Sequence, residues 1–183
     1  MRAIIIPAVF IIILIGCKIS VKENVANADA LSYKVPDDSA ITKAVHDAYK
    51  CICFKNGNPR YDSIKNYFIP QAQLINFRTD SATITNLPEF VDLYKQFIQS
   101  SKVNLFYEEA LFGRTEQFGK IAHRISTYKT YLNTMDSIAE RGVNSFQLIK
   151  TPAGWKVSSI IWDVEKTSLP VPDYYLKTDS SAK

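Results

Sequence analysis

The chain of 183 residues sets 22 Lys and Arg against 18 Asp and Glu, a formal charge of +4, with no basic run of five or more. That length suits one domain with appendages rather than two full domains, and without a basic cluster the electrostatic footprint of a nucleic-acid binder is missing. The sequence holds no GxSxG, HExxH or phosphate-cradling glycine loop, which removes the commonest hydrolase, metalloprotease and nucleotide-binding readings.

In chain order, Arg2 is followed by an apolar run from Ala3 to Ile15, then Gly16, Cys17 and Lys18. A run of that length falls within the ~7 to 15 residues of a signal-peptide core and short of the ~20 that span a bilayer. Leu14-Ile15-Gly16-Cys17 resembles a bacterial lipobox. The resemblance implies cleavage before Cys17, a lipid on its sulfur, and a protein anchored in the bacterial cell envelope. The competing reading is an uncleaved anchor or an ordinary signal peptide. Residues 1–16 are thus read as a lipoprotein signal peptide and 17–36, where Asn, Lys, Ser and Ala dominate without a period, as a tether. The stretch from Lys18 to Pro36, as a flexible coil, spans ~22 to 26 Å.

Helix signals begin at Pro36-Asp37-Asp38-Ser39, before an apolar stripe at Ile41, Ala44, Val45, Ala48, Tyr49 and Ile52. His46 and Cys53 flank it. Lys55 to Pro59 breaks this helix, and Asn58-Pro59 opens a second one through Tyr61, Ile64, Tyr67 and Phe68, stopped by Pro70. Gln71 to Phe77 reads as extended. A third helix starts at Asn86, with Glu89 completing a capping box and Pro88 in the first turn; its apolar face is Phe90, Val91, Tyr94, Phe97 and Ile98. Cys51 and Cys53 have no third cysteine to pair with, and His46 and His123 lie far apart, so buried or half-buried thiols are expected, with no metal site and no cofactor.

After Ser100-Ser101 the period becomes that of strands. Val103 to Phe112, Gln117 to Tyr131 and a hairpin from Arg141 to Glu165 give four long strands, with turns near Gly113 and from Asn133 to Ala139. The hairpin turns at Thr151-Pro152-Ala153-Gly154. Pairing Lys150 with Trp155 and extending that register sets Leu148 against Val157, Phe146 against Ser159, Asn144 against Ile161 and Gly142 against Asp163, on a face headed by Trp155 and read as covered. Val143, Ile149, Ile160 and Trp162 then fall on the outer face. Leu169 to Leu176 is read as a tail against the sheet, and 177–183 as disordered.

Three helices followed by an antiparallel meander is an α+β arrangement with helices over one face of a curved sheet. The order resembles the NTF2-like (SnoaL-like) superfamily, in particular bacterial members of unassigned function. The resemblance runs through Phe118-Gly119-Lys120-Ile121-Ala122-His123, Ser126-Thr127-Tyr128, Arg141 to Leu148, Gly154-Trp155-Lys156-Val157 and Trp162-Asp163. It implies a cone-shaped domain over 37–176, with an interior opening between helices and sheet, often dimerised through the outer face. The superfamily includes isomerases, dehydratases, cyclases, binding proteins and structural modules, so the fold alone assigns no activity.

An acid-base enzyme in such a cone needs a carboxylate in an apolar pocket and a phenol or second acid for the developing oxyanion. Asp163 is the sequence's candidate carboxylate and Tyr128 its candidate phenol. If the opposite face of that strand points inward, His123 takes the place of Tyr128. The expected cavity lining is Asn144, Phe146, Trp155, Ser159 and Asp163. Because Asp163 is the only candidate catalytic group that the register places on the covered face, a non-catalytic module that binds a small apolar molecule or a protein is favoured over an isomerase- or dehydratase-type enzyme. The outer face, with Val143, Ile149, Ile160 and Trp162, points to a homodimer.

Overall fold

The structure, a computed structural model, describes residues 34–176. The stretch read as a signal peptide, the stretch read as a tether as far as residue 33, and residues 177–183 lie outside the described residues. Among those described, the order is α1 (Asp38–Lys50), β1 (Phe54–Lys55), α2 (Tyr61–Ile64), β2 (Phe68–Asn76), β3 (Thr83–Asn86), α3 (Leu87–Ser100), β4 (Leu105–Phe118), β5 (Ile121–Leu132), β6 (Glu140–Thr151) and β7 (Gly154–Val164).

These strands form one curved seven-stranded sheet, β1-β4-β5-β6-β7-β2-β3, open at both edges. Strands β4 to β7 are the expected antiparallel meander. The structure adds β1 and β3, and the extended stretch expected from Gln71 lies in β2, which runs parallel to β7, so the sheet is not wholly antiparallel.

Helix α1 buries Ile41, Val45, Ala48 and Tyr49, the stripe its spacing dictates. The acid at its N-cap, Asp37, makes no side-chain cap; its carboxylate takes the Lys150 ammonium at 2.6 Å instead. Helix α3 has the expected capping box, with Asn86 Oδ1 accepting from the Glu89 amide at 3.0 Å and Glu89 Oε2 accepting from the Asn86 amide at 2.9 Å. The second helix is shorter than its pattern. It is a single turn, and Phe68 already begins β2. Pro70 therefore sits within a strand, where it has no amide hydrogen to give, and the β2–β7 register breaks between Phe68 and Gln73 around it.

The turn expected near Gly113 lies instead at Gly119, whose φ is +55°. Gly113 is inside β4, opposite Ser126, and its missing side chain makes room for Arg124: a Cβ there would stand 2.2 Å from the guanidinium. The tail packs as expected on the outer face, where the Thr127 hydroxyl donates to the Tyr175 carbonyl at 2.6 Å and Val171 is buried.

Candidate functional site

The core lies between the helices and the inner sheet face, and part of it is hollow. Register decides what lines the hollow. Lys150 pairs with Trp155 and Leu148 with Val157, as the sequence suggests, but Gln147 pairs with Ser159, leaving Ser158 as a β-bulge. Beyond the bulge every side chain of β7 changes face. Phe146 now faces Ile160 and Asn144 faces Trp162, both pairs inward, while Asp163 pairs with Val143 and points outward with Ser159.

This overturns three expectations. Asp163 is on the outer face, its carboxylate accepting from the adjacent Val164 amide at 2.7 Å and lying 3.6 Å from the Lys166 ammonium. Ser159 does not reach the cavity. Ile160 and Trp162, expected outside, are on its wall. The bulge in β7 sits where β2 breaks around Pro70.

On β5 the structure settles which face is inner. Ala122, Ser126, Tyr128 and Thr130 point to the core, with Tyr128 only 2% exposed. His123 is outside, its Nε2 2.9 Å from Ser145 Oγ, so it is no pocket group. Arg124 faces in, and as an inward cation it is paired: it donates to Thr115 Oγ1 and lies 3.7 Å from Asp38.

The cavity has a volume of about 370 Å³. Most of its wall is apolar: Phe68, Leu74, Phe106, Leu132, Phe146 and Trp162, with Leu93 and Phe97 of α3 exposed beside it. Asn144 and Phe146 line it as expected; Trp155 is buried in the core but does not line it. Asn144 Nδ2 donates to the Tyr49 hydroxyl at 2.9 Å, and that hydroxyl donates to Ser126 Oγ at 2.9 Å, so this buried chain is satisfied and braces the wall.

The polar groups that matter converge on one side. Glu108 projects from β4, half-buried, with its remaining surface on the cavity wall. Its Oε2 accepts from the Thr130 hydroxyl at 2.7 Å. Burial pushes its carboxyl up to about 7; the Thr130 hydrogen bond opposes the rise, Glu140 adds to it and Arg78 subtracts. Glu140 in turn accepts from the Tyr128 hydroxyl at 2.8 Å and from both terminal guanidinium nitrogens, Nη1 and Nη2, of Arg78. Burial and the two neighbouring carboxylates raise the Tyr128 phenol well above its usual range, and its proton is already committed to Glu140.

The residue pair Glu108-Glu109 was the available signal for this site, since consecutive strand residues point to opposite faces and one of the two had to face in. Cys53 docks on the same strand: its Sγ lies 3.2 Å from the Glu108 amide. Burial pushes Cys51 up to about 12 and Cys53 up to about 11, which makes both poor nucleophiles.

Gly142 supports the site from below. A Cβ on it would stand 2.4 Å from the Asp163 carbonyl oxygen and 2.8 Å from the Tyr128 hydroxyl. Gly142→Ala is therefore expected to destabilise the domain by about 1 to 3 kcal/mol, although alanine in place of glycine ordinarily stabilises by limiting the unfolded chain. Urea unfolding gives the sign. An unchanged or raised midpoint would mean that β6 and β7 yield to the methyl group.

No family model matches the chain, and a search of curated proteins finds no match. Solved structures do. A protein of unknown function with a cystatin-like fold from Nostoc punctiforme matches with a TM-score of 0.58 at 10% identity, over 73% of this chain and 95% of that one. The yeast UBP3-associated protein BRE5 matches with a TM-score of 0.56 at 8% identity, over 73% and 100%. An NTF2-like protein with a cystatin-like fold from Novosphingobium aromaticivorans gives 0.53 at 8%, over 78% and 90%. At these identities the likeness is one of fold: the chain has the NTF2-like, cystatin-like α+β fold.

Proposed function

We propose that this NTF2-like domain is a non-catalytic binding module whose cone takes one small, mainly apolar molecule. The observation that carries the reading is the cavity itself: about 370 Å³, within the ~300 to 1,000 Å³ of small-molecule sites, with apolar walls and a few polar groups on one side. Trp162 stands on that wall and Trp155 does not. Titration with apolar probes should thus change the fluorescence of the wild-type protein and leave that of Trp162→Phe nearly unchanged. Saturable binding that leaves the Trp162 signal untouched would place the ligand elsewhere.

A second reading is favoured by one observation. Glu108, rather than Asp163, is a carboxyl poised near neutrality in an apolar cavity, as a proton-transferring isomerase or dehydratase requires. Tyr128, occupied by Glu140, supports this reading less than an unengaged phenol would. Turnover of a carbonyl substrate that disappears in Glu108→Gln would establish it over pure binding.

The address is part of the proposal. Supported by the apolar run from Ala3 to Ile15 and by Leu14-Ile15-Gly16-Cys17, the mature protein is anchored in the bacterial cell envelope by a lipid on Cys17. Each buried acyl CH₂ contributes ~0.8 kcal/mol, so two or more chains hold the domain firmly. Cys17→Ala should move the protein out of the membrane fraction and abolish the lipid mass at its N-terminus; an unchanged, lipidated product would refute the assignment. Assembly as a homodimer would use the outer face beyond the tail, where Phe118 and Ile121 are exposed beside Ile149. Sedimentation at micromolar concentration tests it, and a species that stays monomeric as concentration rises counts against it.

A further inference from the structure

We propose that the cavity selects an amphipathic amine, a molecule whose aromatic or aliphatic body fills the apolar wall and whose single ammonium group meets Glu108. The inference rests on the binding reading above and names its ligand class. Three charged side chains line the cavity: Arg78, Glu108 and Glu140. Arg78 and Glu140 satisfy each other, the guanidinium holding both carboxylate oxygens, with Nη2 to Oε1 at 2.9 Å. Glu108 has no cation within ion-pair distance among the described residues. Its hydrogen bond from Thr130 falls on Oε2, so Oε1 is left for the cavity.

A carboxylate without a counter-ion in an apolar enclosure is costly, and a cation brought by the ligand relieves that cost. The neighbouring wall suits a cation as well. Phe106, two residues before Glu108 on the same face, meets the Tyr94 ring edge to face at 5.5 Å, and Phe90 stacks on Tyr94 at 6.3 Å; aromatic faces attract ammonium groups. An anionic ligand would meet the Glu108 carboxylate while Arg78 is held by Glu140, and a neutral one would leave Glu108 uncompensated.

The groups facing Glu108 are Glu140 from β6, Arg78 from the segment after β2, Tyr128 and Thr130 from β5, Tyr49 from α1, Tyr94 from α3 and Cys53 before β1. Of these Glu140 and Arg78 are the acid and the base nearest to it, and they pair with each other. Burial sets the Glu108 carboxyl at about 7, so amine affinity rises with pH through that value and falls again only where the amine itself loses its proton, around 10.

The test uses the full-length protein and three probes of one shape: phenethylamine, phenethyl alcohol and phenylacetate. At about pH 8 the amine should bind roughly tenfold tighter than the alcohol, the difference made by a charge-assisted hydrogen bond. Phenylacetate should bind weakest. The amine's advantage should shrink on going to about pH 6. In Glu108→Gln it should vanish at both pH values while alcohol binding persists and reports an intact fold. Equal affinity of amine and alcohol in the wild-type protein overturns the amine assignment and leaves apolar binding standing, whereas no binding of any probe removes both. Should Glu108→Gln fail to fold, the wild-type pH profile decides: a preference for the amine that does not weaken between about pH 8 and 6 rules out Glu108 as its partner.

Discussion

At about pH 8, Glu108→Gln is expected to stabilise the domain by up to about 3 kcal/mol, roughly 10 °C in Tm for a domain of this size. Burial raises the Glu108 carboxyl from the ordinary 4.5 to about 7. A group that holds its proton more tightly when folded contributes most stability below its unfolded value and loses that contribution as pH rises to the folded one. The wild-type protein is therefore penalised above about pH 7 for keeping an unpaired carboxylate in its cavity. Gln keeps a carbonyl oxygen for the Thr130 hydroxyl and carries no charge. The gain should be absent near pH 4 and fully developed by about pH 8. Asp37 and Glu165 run in the opposite direction, since Lys150 and Arg141 hold their carboxyls below the usual range; the difference between variant and wild type cancels them. Urea denaturation at several pH values measures it. A constant difference across that range would show that Glu108 does not titrate inside the folded domain.

Phe146→Ala is expected to destabilise the fold by about 3 to 5 kcal/mol. Phe146 is 1% exposed and meets Tyr49 edge to face at 5.5 Å. Its loss removes a buried ring and also the support of Tyr49, whose hydroxyl joins Asn144 to Ser126. Phe146 lines the existing cavity, so the space it vacates merges with an open volume that neighbouring side chains do not fill by collapse, which places the cost toward the upper end. Phe146→Leu, which retains most of the volume, should recover most of the loss. A loss below about 1 kcal/mol for Phe146→Ala would mean that α1 settles onto the sheet and closes the cone.

Helices α1 and α3 were legible because their signals are local. The stripe from Ile41 to Tyr49 and the box of Asn86 with Glu89 need only neighbours within a turn or two. The hairpin turn was legible for the same reason, and its first pairs are as the turn dictates. The bulge was not. Ser158-Ser159 followed by Ile160-Ile161 offers one serine and one isoleucine to each face, so over these four residues a slip by one exchanges like for like, and only Trp162-Asp163 beyond them changes what each face carries. Gly113 misled in a different way, because a glycine that makes room for a distant guanidinium looks in sequence like one that makes a turn.

The sequence by itself determined the α+β class, the order of the meander, the position of the tail and the inward candidates Asn144 and Phe146, because alternation, capping and turn chemistry act over a few residues; for β5 it offered Tyr128 or His123 and could not choose between the two faces. Tertiary structure alone decided the parallel pairing of β2 with β7 around Pro70, the exchange of Asp163 for Trp162 on the cavity wall, and the choice of Glu108 over Glu109 as the inward acid. The first joins strands far apart in the chain, and the other two turn on one extra residue within a strand, Ser158 in β7 and Leu111 in β4. Register there is set by how the whole sheet curves to close over the helices, which is a property of all the strands at once.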